Sequence, residues 1–263
     1  MFWAIDFIPQ KSKSRVVSYL YRLIERFMMK GIDLQIENSE RALQARQEIT
    51  GITPRHSAVI PITIGETCFR QPHKDRWFAR RVVYFGSIDE RNGLPFLIEL
   101  IKHLCDHDET VSFDIIGDGP LKNQVSGELD VLIRSGRVVL WGYVAEEEKV
   151  VSILGSASIA IAPFDESPGS FTEYADPQKI KFYLAAGLPI LLTGVPPNSH
   201  ELVESAGCFV FSHDDGLGRW RSKILNVLEN EQEYLLRSNL AYEYAKRFSR
   251  NATYKRVLSL IKV

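Results

Sequence analysis

From about residue 80 the chain alternates short β-rich runs with longer amphipathic segments, and this regularity limits the possible folds more than any other feature. Residues 81–85, 111–116, 137–141, 158–162, 188–192 and 207–211 are predicted as strands. Residues 95–106, 120–134, 146–154, 177–186 and 199–205 are predicted as helices, and helices fill most of 217–262. Short strands that alternate with helices predict an α/β fold with a doubly wound parallel sheet.

The first 80 residues have a less regular pattern. Residues 2–8 and 57–64 are predicted as strands, and residues 16–29 and 39–47 as helices, with Ser39 as a helix cap. The polar run Gln71–Arg76 is typical of a linker. We therefore predict a domain boundary near residue 78.

Bulk properties exclude several classes of protein. The 32 basic and 33 acidic residues give a net charge of -1, which offers no basic excess to neutralise nucleic-acid phosphates. Cys68, Cys105 and Cys208 lie far apart and the six histidines are scattered, so neither a disulfide framework nor a metal site is expected. Buried thiols in a reducing cytoplasm are the simplest interpretation.

Glycine or proline follows most of the predicted strands. These positions are Gly86, Gly117–Gly119, Gly142, Pro163 and Gly194. Doubly wound sheets bind ligands beyond the carboxyl ends of their strands, where glycine lets the backbone approach a phosphate. A tight structural turn remains the alternative explanation for Gly117–Gly119.

Two familiar nucleotide motifs are missing. Lys122 occupies the position of the third glycine of a dinucleotide fingerprint, and the next strand ends in Trp141–Gly142 without an acidic residue. No GxxxxGK[ST] sequence exists, which excludes a P-loop. A NAD-binding dehydrogenase is therefore disfavoured.

The segment from Asp176 to Pro189 is more informative. Pro177 begins a helix whose free N–H groups would face the crevice at the strand ends. Lys179 lies in its first turn, where a cation opposes the helix dipole unless an anion binds there. A solvated surface lysine is the alternative. If Lys179 faces an anion, its replacement should weaken binding and leave thermal stability nearly unchanged.

The order and spacing of these pieces resemble the C-terminal domain of the group 1 glycosyltransferases over residues 80–250. The GDGP turn at Gly117 and the PxKxxxYLAAGxP helix beginning at Pro177 are the most specific matches. Further segments resemble the end of that family's N-terminal domain and its final crossover helix; they are Ile5–Asp6, residues 33–46, Val59–Pro61 and residues 250–263. The resemblance implies a Rossmann-like GT-B C-terminal domain at 79–248, a partial N-terminal α/β segment at 1–78 and a crossover helix at 249–263.

The same resemblance implies a UDP- or GDP-sugar donor, a glycan or glycolipid acceptor, and no cofactor or metal. The residues that it assigns to the donor are Gly86, Ser87, Arg91, Gly117, Asp118, Gly119, Gly142, Tyr143, Val144, Glu166 and Lys179. Catalytic side chains of the N-terminal side would lie upstream of Met1, so none is named. We expect a half-enzyme that needs a partner chain or a missing domain, in the cytoplasm at the inner face of a membrane.

Three departures from the family pattern favour an alternative. Ser87 and Asn92 stand where the family has Arg and Lys, with Arg91 as a substitute cation. Phe182 stands where the family has a ribose-binding glutamate, and the EGFG pattern is missing after Phe164. The alternative is a degenerate, non-catalytic domain that acts as a partner subunit or remnant.

Overall fold

The computed structural model describes residues 1–4, 7 and 14–261, and these form two units that each contain a parallel sheet. The first sheet has the order β1-β2-β3, with β1 at Phe2–Trp3, β2 at Leu34–Glu37 and β3 at His56–Val59. Helix α1 (Arg15–Met29) connects β1 to β2, and α2 (Glu40–Thr50) connects β2 to β3. The Ser39 side chain caps α2, as predicted.

The two strands predicted in this unit are longer than those observed. Of the predicted strand 2–8, only Phe2–Trp3 is a strand, and Ile5, Asp6 and Ile8 lie outside the described residues. Strand β3 ends before Pro61, since proline has no N–H to donate to a neighbouring strand.

The second sheet has six parallel strands in the order β6-β5-β4-β7-β8-β9. Their bounds are β4 Arg81–Phe85, β5 Ser112–Ile116, β6 Val138–Gly142, β7 Ile159–Ala162, β8 Ile190–Thr193 and β9 Phe209–Phe211. The predicted doubly wound sheet is confirmed. Its strand order reverses between β4 and β7, which places a crevice at their carboxyl ends.

Helices cover both faces of this sheet. They are α3 Asp75–Phe78, α4 Leu94–His107, α5 Lys122–Glu128, α6 Asp130–Arg134, α7 Glu147–Ser156, α8 Gln178–Ala185, α9 Ser199–Ala206, α10 Leu217–Glu229 and α11 Glu231–Ala245. A further helix, α12 Arg250–Ile261, lies beside the first unit, where Thr253 and Val257 share a cleft with Trp3 and Ile60. No described helix is long and apolar enough to cross a bilayer. Alternate strand residues serve opposite faces: Val83 packs with α7 and α8, whereas Val82 and Tyr84 pack with α4 and α10. The three cysteines are buried free thiols.

The predicted linker Gln71–Arg76 is only partly correct. Arg76 is the second residue of α3 and is 3% exposed. Its guanidinium donates hydrogen bonds to the carbonyls of Ala186 (2.5 Å) and Gln71 (2.8 Å). Arg76 is therefore buried because it satisfies the Ala186 carbonyl at the end of α8 and the Gln71 carbonyl in the predicted linker.

Two stretches of chain cross side by side between the units. The Ile64 N–H donates to Phe248 O at 3.0 Å, and the Arg250 N–H donates to Ile64 O at 3.1 Å. Ile64 and Ser249 thus form a parallel bridge, which we call the seam. Ile64 and Cys68 already belong to the core of the larger sheet. The domain boundary near residue 78 stays a prediction.

Candidate functional site

The large sheet splits open where its strand order reverses. Strands β4 and β7 pair only at Val82–Ile159 and Val83–Ala160. Beyond that point the Tyr183 hydroxyl of α8 accepts the Phe85 N–H at 2.6 Å and faces the carbonyls of Phe85 (3.2 Å) and Ile161 (3.3 Å). Tyr183 therefore satisfies the separated strands and fixes α8 against the crevice, and its burial raises its pKa.

Helix α8 presents its first turn to this crevice. It begins after Pro177, which provides no side-chain cap. The Ile180 N–H donates to the Pro177 carbonyl at 3.2 Å, whereas the N–H groups of Gln178 and Lys179 precede the first intrahelical hydrogen bond. Pro177, Gln178 and Lys179 line a cleft of about 360 Å³. These N–H groups and the helix dipole favour an anion there.

The Lys179 ammonium lies inside the protein at the base of this cleft. The residue is 9% exposed, and its Nζ donates to Asn92 Oδ1 at 2.5 Å and lies 4.7 Å from the ring centres of Tyr84 and Phe164. Within the described residues no carboxylate forms an ion pair with Lys179. Burial lowers the pKa of Lys179 from 10.5 to about 7, and Asp89 opposes that shift. Lys179 is therefore neither a solvated surface lysine nor a residue outside the core, because its long side chain reaches back beneath the glycine turn at Gly86.

The loop after β4 supplies the other charges of the cleft. Asp89 accepts hydrogen bonds from the Asn92 N–H (3.0 Å) and side-chain amide (2.8 Å), which turns Asn92 Oδ1 toward Lys179. Arg91 lies 3.3 Å from Asp89, and its side chain is 71% exposed. A buried cation, Lys179, and a long solvent-exposed one, Arg91, therefore line the same cleft.

The predicted donor residues divide into two adjoining clefts. Gly86, Ser87, Arg91 and Lys179 line the cleft described above, and Gly117, Tyr143 and Val144 line a neighbouring cleft of about 230 Å³. Phe85 and Gln178 border both. Seven of the predicted residues are thus brought together around the first turn of α8.

The glycines of this region serve the packing of the protein itself. A Cβ at Gly117, whose φ is +145°, would lie 1.9 Å from the Gly86 carbonyl oxygen. A Cβ at Gly86 would lie 2.7 Å from Lys179 Nζ. The two strand exits pack too closely for side chains, so the GDGP turn is structurally required before any ligand is considered.

The remaining predicted residues do not line either cleft. Asp118 pairs with Lys122 at 2.7 Å, Gly119 packs under the Ile88 carbonyl, and the Gly142 carbonyl accepts the Gly117 N–H at 2.9 Å. Glu166 accepts hydrogen bonds from the Ser212 hydroxyl (3.0 Å) and the His213 N–H (2.6 Å). Their part in donor binding stays a prediction.

Phe182 lies where the family pattern has an acidic residue. It is buried and packs edge-on against Phe85, with ring centres 5.4 Å apart. It forms an apolar wall of the smaller cleft with Ile116 and Val150, and Glu147 is the carboxylate of that cleft.

Sequence reasoning missed a buried ion pair two residues along α8. Lys181 pairs with Asp176, and both side chains are at most 6% exposed. The second Asp176 oxygen accepts the Ile62 N–H at 2.6 Å, so the pair joins α8 to the first unit. The spacing of Lys179 and Lys181 could have indicated this pair. Lysines two residues apart in a helix point in different directions, so the two cannot both face the cleft.

No cluster of three or more His, Cys, Asp or Glu side chains suited to a metal ion occurs among the residues that the structure describes.

The sequence profile of the family "Glycosyl transferases group 1" matches residues 79–230, which is more than half of the chain. The chain belongs to the group 1 glycosyltransferases. A comparison with curated protein sequences gave no significant match.

Solved glycosyltransferase structures share the fold. HepE from Anabaena in complex with UDP has a TM-score of 0.75 at 15% identity, over 99% of this chain and 71% of HepE. WaaG, a glycosyltransferase involved in lipopolysaccharide biosynthesis, has 0.67 at 15%, over 93% and 70%. TarM from S. aureus, with UDP bound, has 0.73 at 15%, over 98% of this chain and 50% of TarM. The chain thus has a GT-B fold and spans half the length of TarM.

Proposed function

We propose that this glycosyltransferase chain binds a nucleotide-diphosphate sugar, with the diphosphate at the first turn of α8. The observation that carries the proposal is the Lys179 ammonium, which is buried beside free helix N–H groups and has no carboxylate partner in the described residues. A diphosphate would supply the missing counter-charge. Arg91 would reach it from the solvent side.

The adjoining cleft suits the nucleoside. Tyr143 and Val144 offer backbone groups and a side chain to a base, and Phe85 and Phe182 form an apolar wall. The HepE and TarM structures contain UDP, which supports a uridine nucleotide here; the proposal includes GDP as the other candidate. No cofactor enters it.

The reaction proposed is that of the family. The bond from the anomeric carbon to the phosphate oxygen breaks, the acceptor oxygen forms a new bond to that carbon, and the acceptor's proton passes to the leaving diphosphate. Lys179, Arg91 and the α8 N–H groups would stabilise the charge on the leaving diphosphate. Retention of anomeric configuration follows from the resemblance.

The acceptor proposed is a glycan or glycolipid at the cytoplasmic face of a membrane, in polysaccharide or glycolipid synthesis. Positioning of the acceptor oxygen can supply about 7–11 kcal/mol of a transfer barrier. We propose that a further domain or a partner chain completes the acceptor side. We expect the isolated chain to transfer little sugar from candidate sugar nucleotides. Robust turnover by a chain that light scattering shows to be a monomer would contradict this.

One observation favours a second candidate, a binding subunit without its own activity. Phe182 cannot accept hydrogen bonds from ribose hydroxyls, and its ring is held against Phe85. Such a chain would bind nucleotide weakly and transfer no sugar even with a partner present.

Calorimetry with UDP and GDP, with and without EDTA, tests the donor site. We expect binding that EDTA does not abolish. Arg91→Ala should weaken it by about 1.5–3 kcal/mol, as for a hydrogen bond to a charged group, with no change in melting temperature. Arg219→Ala is the matched control, because Arg219 is also exposed and also pairs with an aspartate. If neither UDP nor GDP gives a heat of binding at millimolar concentration, the proposal is wrong.

A further inference from the structure

The segment between β7 and α8 forms one wall of the cleft at the first turn of α8. We call residues 163–173 the β7 loop, and Phe164, Phe171 and Thr172 of this loop line the cleft. Regular secondary structure in the β7 loop is limited to a short 3-10 turn at its end, Phe171–Glu173. The position of this wall therefore depends on contacts between the loop and neighbouring elements.

Glu166 ties the β7 loop to the segment that follows β9. Its Oε2 accepts hydrogen bonds from the Ser212 hydroxyl at 3.0 Å and from the His213 N–H at 2.6 Å. Among the residues that the structure describes, neither a lysine nor an arginine pairs with Glu166, and Glu166 does not line the cleft. The carboxylate is thus used within the protein, where its charge strengthens both hydrogen bonds.

The segment after β9 is itself held firmly against the larger sheet. The Ser212 N–H donates to the Asp215 carboxylate at 2.8 Å, and the buried Trp220 indole donates to the Ser212 carbonyl at 2.9 Å. The His213 ring stacks on Phe96 of α4, with ring centres 4.1 Å apart. Because both hydrogen-bond donors to Glu166 belong to this well-packed segment, Glu166 sets the position of the β7 loop relative to the sheet.

The two residues before Glu166 connect the β7 loop to both cations of the cleft. The Asp165 N–H donates to the Arg91 carbonyl at 3.1 Å, so the loop supports the backbone of the exposed cation. The Phe164 ring centre lies 4.7 Å from Lys179 Nζ and helps to enclose the buried cation. A displacement of the loop would therefore disturb the surroundings of Arg91 and Lys179 together.

We propose that Glu166 is a positioning residue for the donor, which fixes the β7 loop through Ser212 and His213 and thereby places Phe164 and Arg91 around the diphosphate. The inference rests on the proposed function. In this role Glu166 acts on the donor through the loop, which differs from the direct donor contact that the family resemblance implies.

Amide hydrogen exchange of the full chain without nucleotide tests the hold on the loop. Glu166→Ala should speed exchange of the β7 loop amides, that of Asp165 included, by about tenfold or more, because two hydrogen bonds to a charged group are lost. Glu166→Gln should exchange as slowly as wild type, since its amide oxygen can accept both hydrogen bonds. Glu233→Ala is the matched control, because Glu233 is also partly buried and pairs with Arg237 on α11. Unchanged exchange in Glu166→Ala would overturn the proposal.

Calorimetry with UDP and UMP tests the effect on the donor. Glu166→Ala should weaken UDP binding about tenfold, through the loss of Arg91 placement, and should leave UMP binding unchanged. UMP lacks the terminal phosphate, and the neighbouring cleft proposed for the nucleoside contains no residue of the β7 loop. Glu166→Gln and Glu233→Ala should bind both nucleotides as wild type does.

The outcomes separate this inference from the proposed function. If wild type binds no UDP, the proposed function fails and the positioning role fails with it. If wild type binds UDP and Glu166→Ala binds it equally well, only the positioning role is wrong. Weakened UDP binding by Glu166→Gln, with wild-type exchange in the β7 loop, would show that Glu166 contacts the donor directly and would also overturn the proposal.

Discussion

At the scale of single residues, Lys179 links ligand affinity to stability. Its folded pKa of about 7 lies below the ordinary 10.5 because burial penalises the charged amine. The unfolded chain therefore binds more protons between these values, so Lys179 destabilises the fold below pH 10.5, most fully below pH 7. A group kept at such a cost is expected at a binding site.

Lys179→Met should therefore stabilise the free protein and remove nucleotide binding. The gain follows from removing a buried amine, and we expect a melting temperature about 5 °C higher or more at pH 7. Thermal unfolding and UDP calorimetry measure the two effects. Lys102→Met is the control, since Lys102 is part of a surface ion-pair cluster and should change neither. A lower melting temperature with unchanged affinity would contradict the assignment.

Nucleotide affinity should also depend on pH through Lys179. A bound diphosphate raises the pKa of the ammonium above its free value of about 7, so binding is strongest below pH 7 and is lost as the pH rises through it. UDP titrations between pH 6 and 9, chosen to bracket that value, should show this decline in wild type. Lys179→Met should show a flat profile in any residual binding; a flat wild-type profile would rule out a titrating Lys179.

The sequence predicted several of the residues that line the cleft but not their hydrogen-bond partners. Asn92 was interpreted as a missing cation, whereas the structure makes its Oδ1 the acceptor for Lys179. A lysine at 92 would repel Lys179 at that distance. Such pairings depend on how Asp89 orients the loop after β4, and spacing along a chain carries no information about that orientation.

At the scale of elements, the Tyr183 hydroxyl ties α8 to strand β4. Tyr183→Phe removes the acceptor of the Phe85 N–H at the split of the sheet. A buried donor left unsatisfied costs about 1–3 kcal/mol, or roughly 3–10 °C in melting temperature. Tyr254→Phe is the control, because Tyr254 is 60% exposed. Equal melting temperatures for the two variants would show that water replaces the hydroxyl.

The strands and helices of the larger unit could be predicted because the hydrophobic periodicity and the glycine and proline residues at the ends of elements indicate the same boundaries. Each of the six strands was located to within about two residues; α4 has Pro95 in its first turn, and α8 follows Pro177. The helix predicted up to Arg134 is instead two, α5 and α6, which meet at Leu129. Leu129 is buried, so a tertiary contact ends α5 where the polar pattern gives no stop signal.

At the scale of the whole molecule, the Asp176–Lys181 pair connects the two units. Asp176→Asn keeps an acceptor for the Ile62 N–H but leaves the buried Lys181 ammonium unpaired. Breaking one side of a buried pair costs about 3–5 kcal/mol. We expect a large fall in melting temperature by calorimetry, and a partial recovery when Lys181→Met is added. An unaltered Asp176→Asn variant would mean that water reaches the pair.

The seam at Ile64 and Ser249 limits how the two units can move. Two backbone hydrogen bonds tie both crossings of the chain together along one short line. A short hinge of this kind permits the two units to rotate about the line that joins its two hydrogen bonds but resists translation of one unit along the other. Opening and closing of the units would therefore follow one arc, and the first turn of α8, fastened to Ile62 through Asp176, would lie close to the pivot and sweep only a short path.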